Sequence, residues 1–261
     1  MTVEQLVSTL EGTWTGLAAA CAGLSEAEWH LPTDLPGWTV KDNVSHVAGL
    51  ERFFMGEPYP EHELPAELPH VRDEAGRFME VLVDVRRSWP GERVLDDLRS
   101  MTAARLTTLR ALPESALDEE TDFLFGSRWT WRNILEIRVF DSWVHEQDVR
   151  RAVRRPGGLD SEAARVSLRR MLRGLSRLDS DVPALDGRAV LFTTTGALET
   201  ASTVTYGAAP ADPDVRVSLD WETFVRLVCG RVAYDDVAAT VAVSGDVALG
   251  EELLRHAAVT P

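Results

Sequence analysis

Apolar residues recur at alternating steps of three and four positions along the N-terminal segment. The repeat consists of Val3, Leu6, Leu10, Trp14, Leu17, Cys21 and Leu24. This spacing places all of the side chains on one face of an α-helix. The segment is therefore predicted to be a helix that packs against other helices.

Five further helices are predicted before residue 180. Thr39 followed by Asp42 resembles a capping box that begins a helix ending near Phe54. Thr130 is the predicted N-cap of a long helix that ends near Val153, just before a Pro-Gly-Gly segment. The other three stretches are 70–88, 92–112 and 160–178, and the proline-rich segment 57–69 is predicted to be a loop.

The pattern changes after Pro183, where short, β-branched segments alternate roughly between apolar and polar residues. The predicted strands are 188–194, 201–206, 214–219 and 240–244, with helices at about 221–229 and 246–257. Asp246 is the predicted N-cap of the last helix. We therefore predict a helical bundle over residues 1–180 and a small α+β domain over residues 181–261.

Charge and length narrow the classes of function. The 261 residues carry a formal net charge of −15, which argues against nucleic acid and anionic membranes as partners because both require a cationic surface. No apolar run approaches the roughly 18 residues that span a bilayer, and the first residues do not resemble a signal peptide. Two cysteines are too few for a disulfide framework. We expect a cytoplasmic protein with small-molecule partners, and its oligomeric state is left open.

The basic residues are unusual, because Lys41 is the single lysine among 27 basic residues and the other 26 are arginines. Arginine codons are rich in G and C, whereas lysine codons are rich in A and T. The bias therefore indicates a bacterium of high GC content, and we expect an actinomycete.

Three residues are candidate metal ligands. Asp141 and His145 are four positions apart on the predicted long helix, so their side chains share one face. His46 lies in an apolar stretch of another helix, where an imidazole requires a partner. Two histidines and one carboxylate leave a fourth position open on a zinc ion, as in catalytic sites. Asp148 or Arg138 would then orient the ligands.

Simpler interpretations of the same residues remain open. An aspartate and a histidine at this spacing are commonly a surface pair, and a lone helical histidine is more often hydrogen-bonded in a core than bound to a metal. Sequence spacing alone does not bring His46 close to His145.

Residues 35–51 (LPGWTVKDNVSHVAGLE) and 138–152 (RVFDSWVHEQDVRRA) resemble two motifs of the DinB-like, mycothiol-dependent maleylpyruvate isomerase family. The ending, from Leu219-Asp220-Trp221 through the segment 224–231 to 243–246, is similar to the C-terminal domain of that family, which is distantly like sterol-carrier folds. The resemblance implies an N-terminal DinB-like four-helix bundle followed by a small sterol-carrier-like α+β domain.

The resemblance also implies a divalent metal, usually zinc, held by His46, Asp141 and His145, and mycothiol as the thiol cosubstrate. The family's isomerase has glutamate where this chain has Asp141. It also uses an arginine of its C-terminal domain at the active site, and Arg231 is the candidate counterpart, suited to a substrate carboxylate. A purely structural arginine at a helix C-terminus is the alternative. Cys229 is expected to be a buried apolar residue, and for Trp38 we favour packing over a place in the pocket wall.

The predicted function is that of a metal- and mycothiol-dependent enzyme, either a thiol S-transferase or a cis–trans isomerase. It would activate the thiol for addition to an electrophilic small molecule. The same ligands also suit a non-haem iron oxygenase or a metallohydrolase. A third alternative is a lipid or small-molecule binding protein without catalysis, suggested by the sterol-carrier-like ending.

Overall fold

The computed structural model describes residues 1–209 and 212–260. Two compact units divide the chain, Met1–Gly158 and Leu159–Pro261. The helix predicted at 160–178 thus belongs to the second unit by its contacts. The division into domains at residue 180 stays a prediction.

Six helices and a short hairpin build the first unit. Their bounds are α1 (Val3–Cys21), α2 (Glu26–Trp29), α3 (Val40–Phe54), α4 (Glu74–Asp84), α5 (Gly91–Arg110), β1 (Glu120–Asp122), β2 (Arg128–Thr130) and α6 (Trp131–Ala152). Helices α1 and α3 each pack against both α5 and α6, which closes a four-helix bundle. The predicted fold class of this part is confirmed.

Local sequence sets the start of the two helices that matter most for the site. Thr39 caps α3 by accepting a hydrogen bond from the backbone N–H of Asp42, and the Asp42 carboxylate accepts one from the N–H of Thr39, as predicted. Thr130 caps α6 by accepting from the N–H of Asn133. Both predicted helix starts are therefore confirmed.

Helix α3 is buried on all sides rather than on one face. Every residue from Val40 to Glu51 is buried, including the polar Asn43, Ser45 and His46. Helix α4 packs closely on α3 at Gly49, where an added Cβ would lie 3.0 Å from the Cβ of Leu82. Buried polar side chains need partners inside the protein, so α3 is where the polar contacts of the bundle concentrate.

The second unit is built from helices and one mixed sheet. Its elements are α7 (Glu162–Leu175), β3 (Ala189–Thr195), β4 (Thr200–Thr205), β5 (Val215–Asp220), α8 (Trp221–Val228), α9 (Tyr234–Val237), β6 (Ala242–Gly245) and α10 (Val247–Arg255). The strand order is β4-β3-β5-β6, with β3 and β5 parallel and the outer pairs antiparallel. Helices α8 and α10 pack on the sheet. The predicted α+β ending and its four strands are confirmed.

The structure adds elements that the sequence pattern does not predict. Strands β1 and β2, of three residues each, pair as an antiparallel hairpin. Phe125 at its tip has a φ of 55°, a conformation uncommon outside glycine and asparagine. Within the described residues, no helix combines the length and the apolar character needed to cross a bilayer.

Candidate metal centre

Helices α3 and α6 bring His46, Asp141 and His145 together. One donor atom from each lies within 4.8 Å of the other two. Nε2 of His46 is 3.3 Å from Oδ1 of Asp141, and Nε2 of His145 is 3.7 Å from the same oxygen. The two imidazole rings have their centres 4.7 Å apart. The three predicted ligands therefore form one cluster.

Asn43 fixes the orientation of His145. Its Oδ1 lies 2.7 Å from Nδ1 of His145, and because an amide oxygen only accepts hydrogen bonds, Nδ1 carries the proton. The Asn43 amide is itself held, since its Nδ2 donates to the carbonyl of Thr39 at 2.9 Å and to Oγ1 of Thr33 at 3.2 Å. Nε2 of His145 then faces Oδ1 of Asp141 at 3.7 Å and is the ring nitrogen available to a metal.

The protonation states favoured for His46 and Asp141 also suit metal binding. Burial lowers the pKa of His46 despite the opposing effect of Asp141, which favours the neutral imidazole that binds metals. Burial by itself raises the pKa of Asp141, but its neighbours, the Arg138 guanidinium foremost, outweigh burial and hold that pKa well below its usual range. Among the described residues, Nδ1 of His46 is buried and has no hydrogen-bond partner.

The arrangement fits a divalent cation such as zinc. Zinc accepts imidazole nitrogen and carboxylate oxygen at about 2.0–2.2 Å, and tetrahedral angles then separate neighbouring donors by roughly 3.3–3.6 Å. The two measured separations from Oδ1 of Asp141, 3.3 and 3.7 Å, lie at or near that range. The surface-pair interpretation of Asp141 and His145 is wrong, since the His145 side chain is only 8% exposed and faces His46.

Arg138 and Asp148 both contact the cluster, as expected of residues that orient ligands. NH1 of Arg138 donates to Oδ2 of Asp141 at 2.9 Å. Oδ2 of Asp148 lies 3.8 Å from Nδ1 of His145, and Asp148 also pairs with Arg151. Arg138 therefore directs the carboxylate of Asp141, and Asp148 adds negative charge beside His145.

Trp38 lies beside the cluster, contrary to the packing role that we favoured. Its ring centre is 5.1 Å from that of His46 and 5.7 Å from that of His145. The indole Nε1 donates to Oε2 of Glu80 at 2.8 Å, and Glu80 is also paired with Arg87. The indole forms one wall of the site and is anchored from α4.

Sequence reasoning missed Asn43, Glu51 and Glu80. Asn43 and Glu51 lie on α3, three positions before and five after His46, in a helix whose other buried residues include three valines, one alanine and one leucine. The sequence signal that could have identified them is the number of polar residues interspersed among the apolar residues of this helix. Glu80 gave no comparable signal, because its contact with Trp38 joins positions 42 residues apart.

Arg231 and Cys229 lie in the second unit, just after α8. NH1 of Arg231 donates to the carbonyl of Cys229 at 2.6 Å, which is the contact expected of an arginine at a helix C-terminus. Cys229 is buried with its Sγ 3.8 Å from Sδ of Met171, in keeping with an apolar packing role. The catalytic role of Arg231 stays a prediction.

Comparison with known proteins adds independent information. Residues 10–150, more than half of the chain, match the family model described as the mycothiol maleylpyruvate isomerase N-terminal domain. No curated protein matches the chain.

Two crystal structures of the mycothiol-dependent maleylpyruvate isomerase share the fold. One is a histidine-to-alanine mutant, with a TM-score of 0.62, and the other is the isomerase itself, with a TM-score of 0.60. In both comparisons the identity is 18%, and 95% of this chain and 95% of the other are covered. The family match and the shared fold agree with the motifs at 35–51 and 138–152. The chain belongs to the mycothiol maleylpyruvate isomerase family, a family of enzymes.

Proposed function

We propose that this protein is a metal-dependent enzyme that uses mycothiol, either as a thiol S-transferase or as a cis–trans isomerase. The observation that carries the proposal is the convergence of the donor atoms of His46, Asp141 and His145 within 4.8 Å of one another. Family membership supports mycothiol as the thiol. The expected substrate is a small electrophile with a conjugated double bond.

The proposed ligands are placed so that a cation bound to them would keep a coordination position open. Three protein donors leave a fourth position for a thiol, and a bound divalent cation lowers the pKa of a thiol so that the nucleophilic thiolate forms near neutral pH. Asn43 holds His145 in the tautomer that presents Nε2. Trp38 covers the two imidazoles on one side and limits the access of water there.

The side chain of Asp141, shorter than a glutamate, is placed to bind a metal through a single oxygen. Oδ2 is engaged by Arg138, whereas Oδ1 alone faces the two histidines. A glutamate, with one more methylene, would reach farther from α6. We propose that this difference changes which substrate is accommodated rather than whether a metal binds.

Zinc titration of the metal-free protein tests the proposal. We expect one zinc ion per chain and, with mycothiol present, zinc-dependent conversion of maleylpyruvate or other conjugated electrophiles. A transferase would consume one mycothiol per product, whereas an isomerase would release the thiol unchanged. The variant with both His46→Ala and His145→Ala should lose both properties. His62→Ala is the matched control, because His62 pairs with Asp84 outside the site. Normal zinc content and normal mycothiol-dependent conversion of the electrophile in the double variant would refute the proposal.

A second function uses the same ligands. Two histidines and one carboxylate also form the iron site of many oxygenases, and the His46, Asp141 and His145 cluster has this composition. Metal analysis of protein purified without added ions distinguishes the two. Iron together with oxygen consumption would favour the oxygenase, whereas zinc together with mycothiol-dependent conversion of an electrophile would favour the proposed enzyme.

A further inference from the structure

Glu51 is a fully buried carboxylate placed between two guanidinium groups. It has no solvent exposure and lies on α3, five positions after His46. Its Oε1 accepts a hydrogen bond from Nε of Arg138 at 2.7 Å, and its Oε2 accepts one from Nε of Arg105 at 3.2 Å. Arg105 is only 6% exposed and Arg138 only 3%. Three charged side chains from α3, α5 and α6 therefore meet inside the bundle.

The row of charges continues to Asp141. NH1 of Arg138 donates to Oδ2 of that residue at 2.9 Å, so positive and negative groups alternate from Arg105 through Glu51 and Arg138 to Asp141. An arginine that uses Nε and NH1 on two different carboxylates cannot rotate without breaking one of these bonds. The direction in which the Asp141 carboxylate points thus depends on where Glu51 holds Arg138.

Stability alone is a poor explanation for this row. Burying charged groups costs several kcal/mol of desolvation per ion, and well-packed apolar side chains often stabilise a core as well or better. NH2 of Arg138 also has no hydrogen-bond partner within the described part of the chain, which adds a cost. A functional explanation is that Arg138 contacts Asp141, one of the three candidate metal ligands.

We propose that Glu51 is a positioning residue that fixes Arg138, so that Asp141 presents only Oδ1 to His46 and His145. This inference rests on the proposed function, because it assigns Glu51 a role in preparing the metal site. Arg105 acts from the other side, since its bond to Glu51 stops the carboxylate from turning away. Its NH1 is held in turn by the carbonyl of Phe54 at 3.4 Å.

Zinc affinity of folded, initially metal-free variants tests this role by competition with a chromophoric chelator. Glu51→Gln keeps the size of the side chain but removes its charge, and we expect zinc affinity to fall about 10- to 100-fold, as for other residues that orient ligands. Asp97→Asn is the matched control. Asp97 also accepts hydrogen bonds from two arginines, Arg52 and Arg86, but they do not reach the ligands. This control should retain wild-type affinity.

A charge-balanced variant covers the case in which Glu51→Gln does not fold. The double variant with Glu51→Gln and Arg105→Gln removes one charge of each sign and leaves the pair of Arg138 and Asp141, and it should show the same loss of affinity. Wild-type affinity in a folded Glu51 variant would overturn the inference. An equal loss in Asp97→Asn would overturn it too, because a general effect of buried charges would then suffice.

Measurement of His46→Ala in the same assay separates this inference from the proposed function. If His46→Ala loses zinc while Glu51→Gln binds normally, only the role of Glu51 is refuted. If His46→Ala binds zinc as the wild type does, the metal centre itself is refuted, and the inference fails with it.

Discussion

Helices α1 and α3 occupy equivalent places in the bundle but bury different types of side chain. Each packs against both α5 and α6. Thr13 is the single polar residue among those that α1 buries, whereas α3 buries Lys41, Asp42, Asn43, Ser45, His46 and Glu51. Helix α1 contributes apolar area, and α3 contributes polar side chains, most of which are held by a particular partner. We therefore expect changes in α1 to alter stability and changes in α3 to alter metal binding.

The largest expected effect is a loss of stability from a cavity in α1. Leu10 is completely buried, and Leu10→Ala removes three carbon atoms from the core. We expect the free energy of unfolding of the metal-free protein to fall by about 2–5 kcal/mol, measured by urea denaturation. Zinc affinity of the folded variant should be unchanged.

Ser8→Ala is the control for this cavity, because Ser8 is exposed on the same helix and its loss should change stability by less than about 0.5 kcal/mol. A Leu10→Ala protein that is stable but binds zinc poorly would break the contrast between α1 and α3.

Asn43→Ala should mainly reduce zinc affinity, whereas Leu10→Ala should mainly reduce stability. It removes the acceptor of Nδ1–H of His145, so the imidazole is free to rotate or to change tautomer. We expect zinc affinity to fall about 10- to 100-fold, measured by chelator competition. Ser45→Ala is the matched control, because the Ser45 Oγ is buried on the same helix and makes no hydrogen bond within the described residues. Equal losses in both variants would show that burial, not the bond to His145, is responsible.

The two helices also differ in how far the sequence predicts them. The apolar repeat from Val3 to Leu24 is enough to predict α1 and its buried face, because packing of apolar groups depends mainly on position along the helix. The capping box at Thr39 predicts where α3 begins. Neither signal predicts the partner of a buried polar side chain, since Glu51 meets Arg138 across 87 positions and Arg105 across 54.

The candidate ligands were predictable for a different reason. Asp141 and His145 share one helix face, and the motif around His46 resembles one of a known family, so the three residues were identified without coordinates. The positions of Trp38 and Glu80 were not, because they depend on how α4 and its flanking loops pack on α3. A short hairpin such as Glu120–Thr130 also escapes prediction, since three-residue strands carry too little alternation to be recognised.

Asp97 tests whether a partly buried acid outside the site contributes to stability. Burial by itself raises the pKa of Asp97, but hydrogen bonds from Arg52 and Arg86 outweigh it and lower the pKa below the usual value. The folded state therefore gains stability from the ionised form above the unfolded pKa of about 3.9, and this gain is lost as the pH falls through the lower folded value.

We expect Asp97→Asn to cost about 1–2 kcal/mol at pH 7, a moderate value because Arg52 is partly exposed. The difference from the wild type should shrink toward zero below pH 4. Urea denaturation of the metal-free proteins at pH 7 and at pH 3 measures both. A difference that does not depend on pH would mean that the amide disturbs packing rather than removes charge.

The smallest expected effect comes from Thr39, the N-cap of α3. Thr39→Ala removes the hydroxyl that accepts from the N–H of Asp42, at a cost of about 1 kcal/mol of stability. The carbonyl of Thr39 still accepts from Nδ2 of Asn43, because it belongs to the backbone. We therefore expect Thr39→Ala to reduce zinc affinity far less than Asn43→Ala does. Thermal denaturation measures the stability of the sample, and chelator competition measures its zinc affinity.

The opposite outcome would be a cap variant that loses as much zinc affinity as Asn43→Ala does. The start of α3 would then itself hold the ligands in place. The division between stability and metal binding would lie within α3 rather than between α1 and α3.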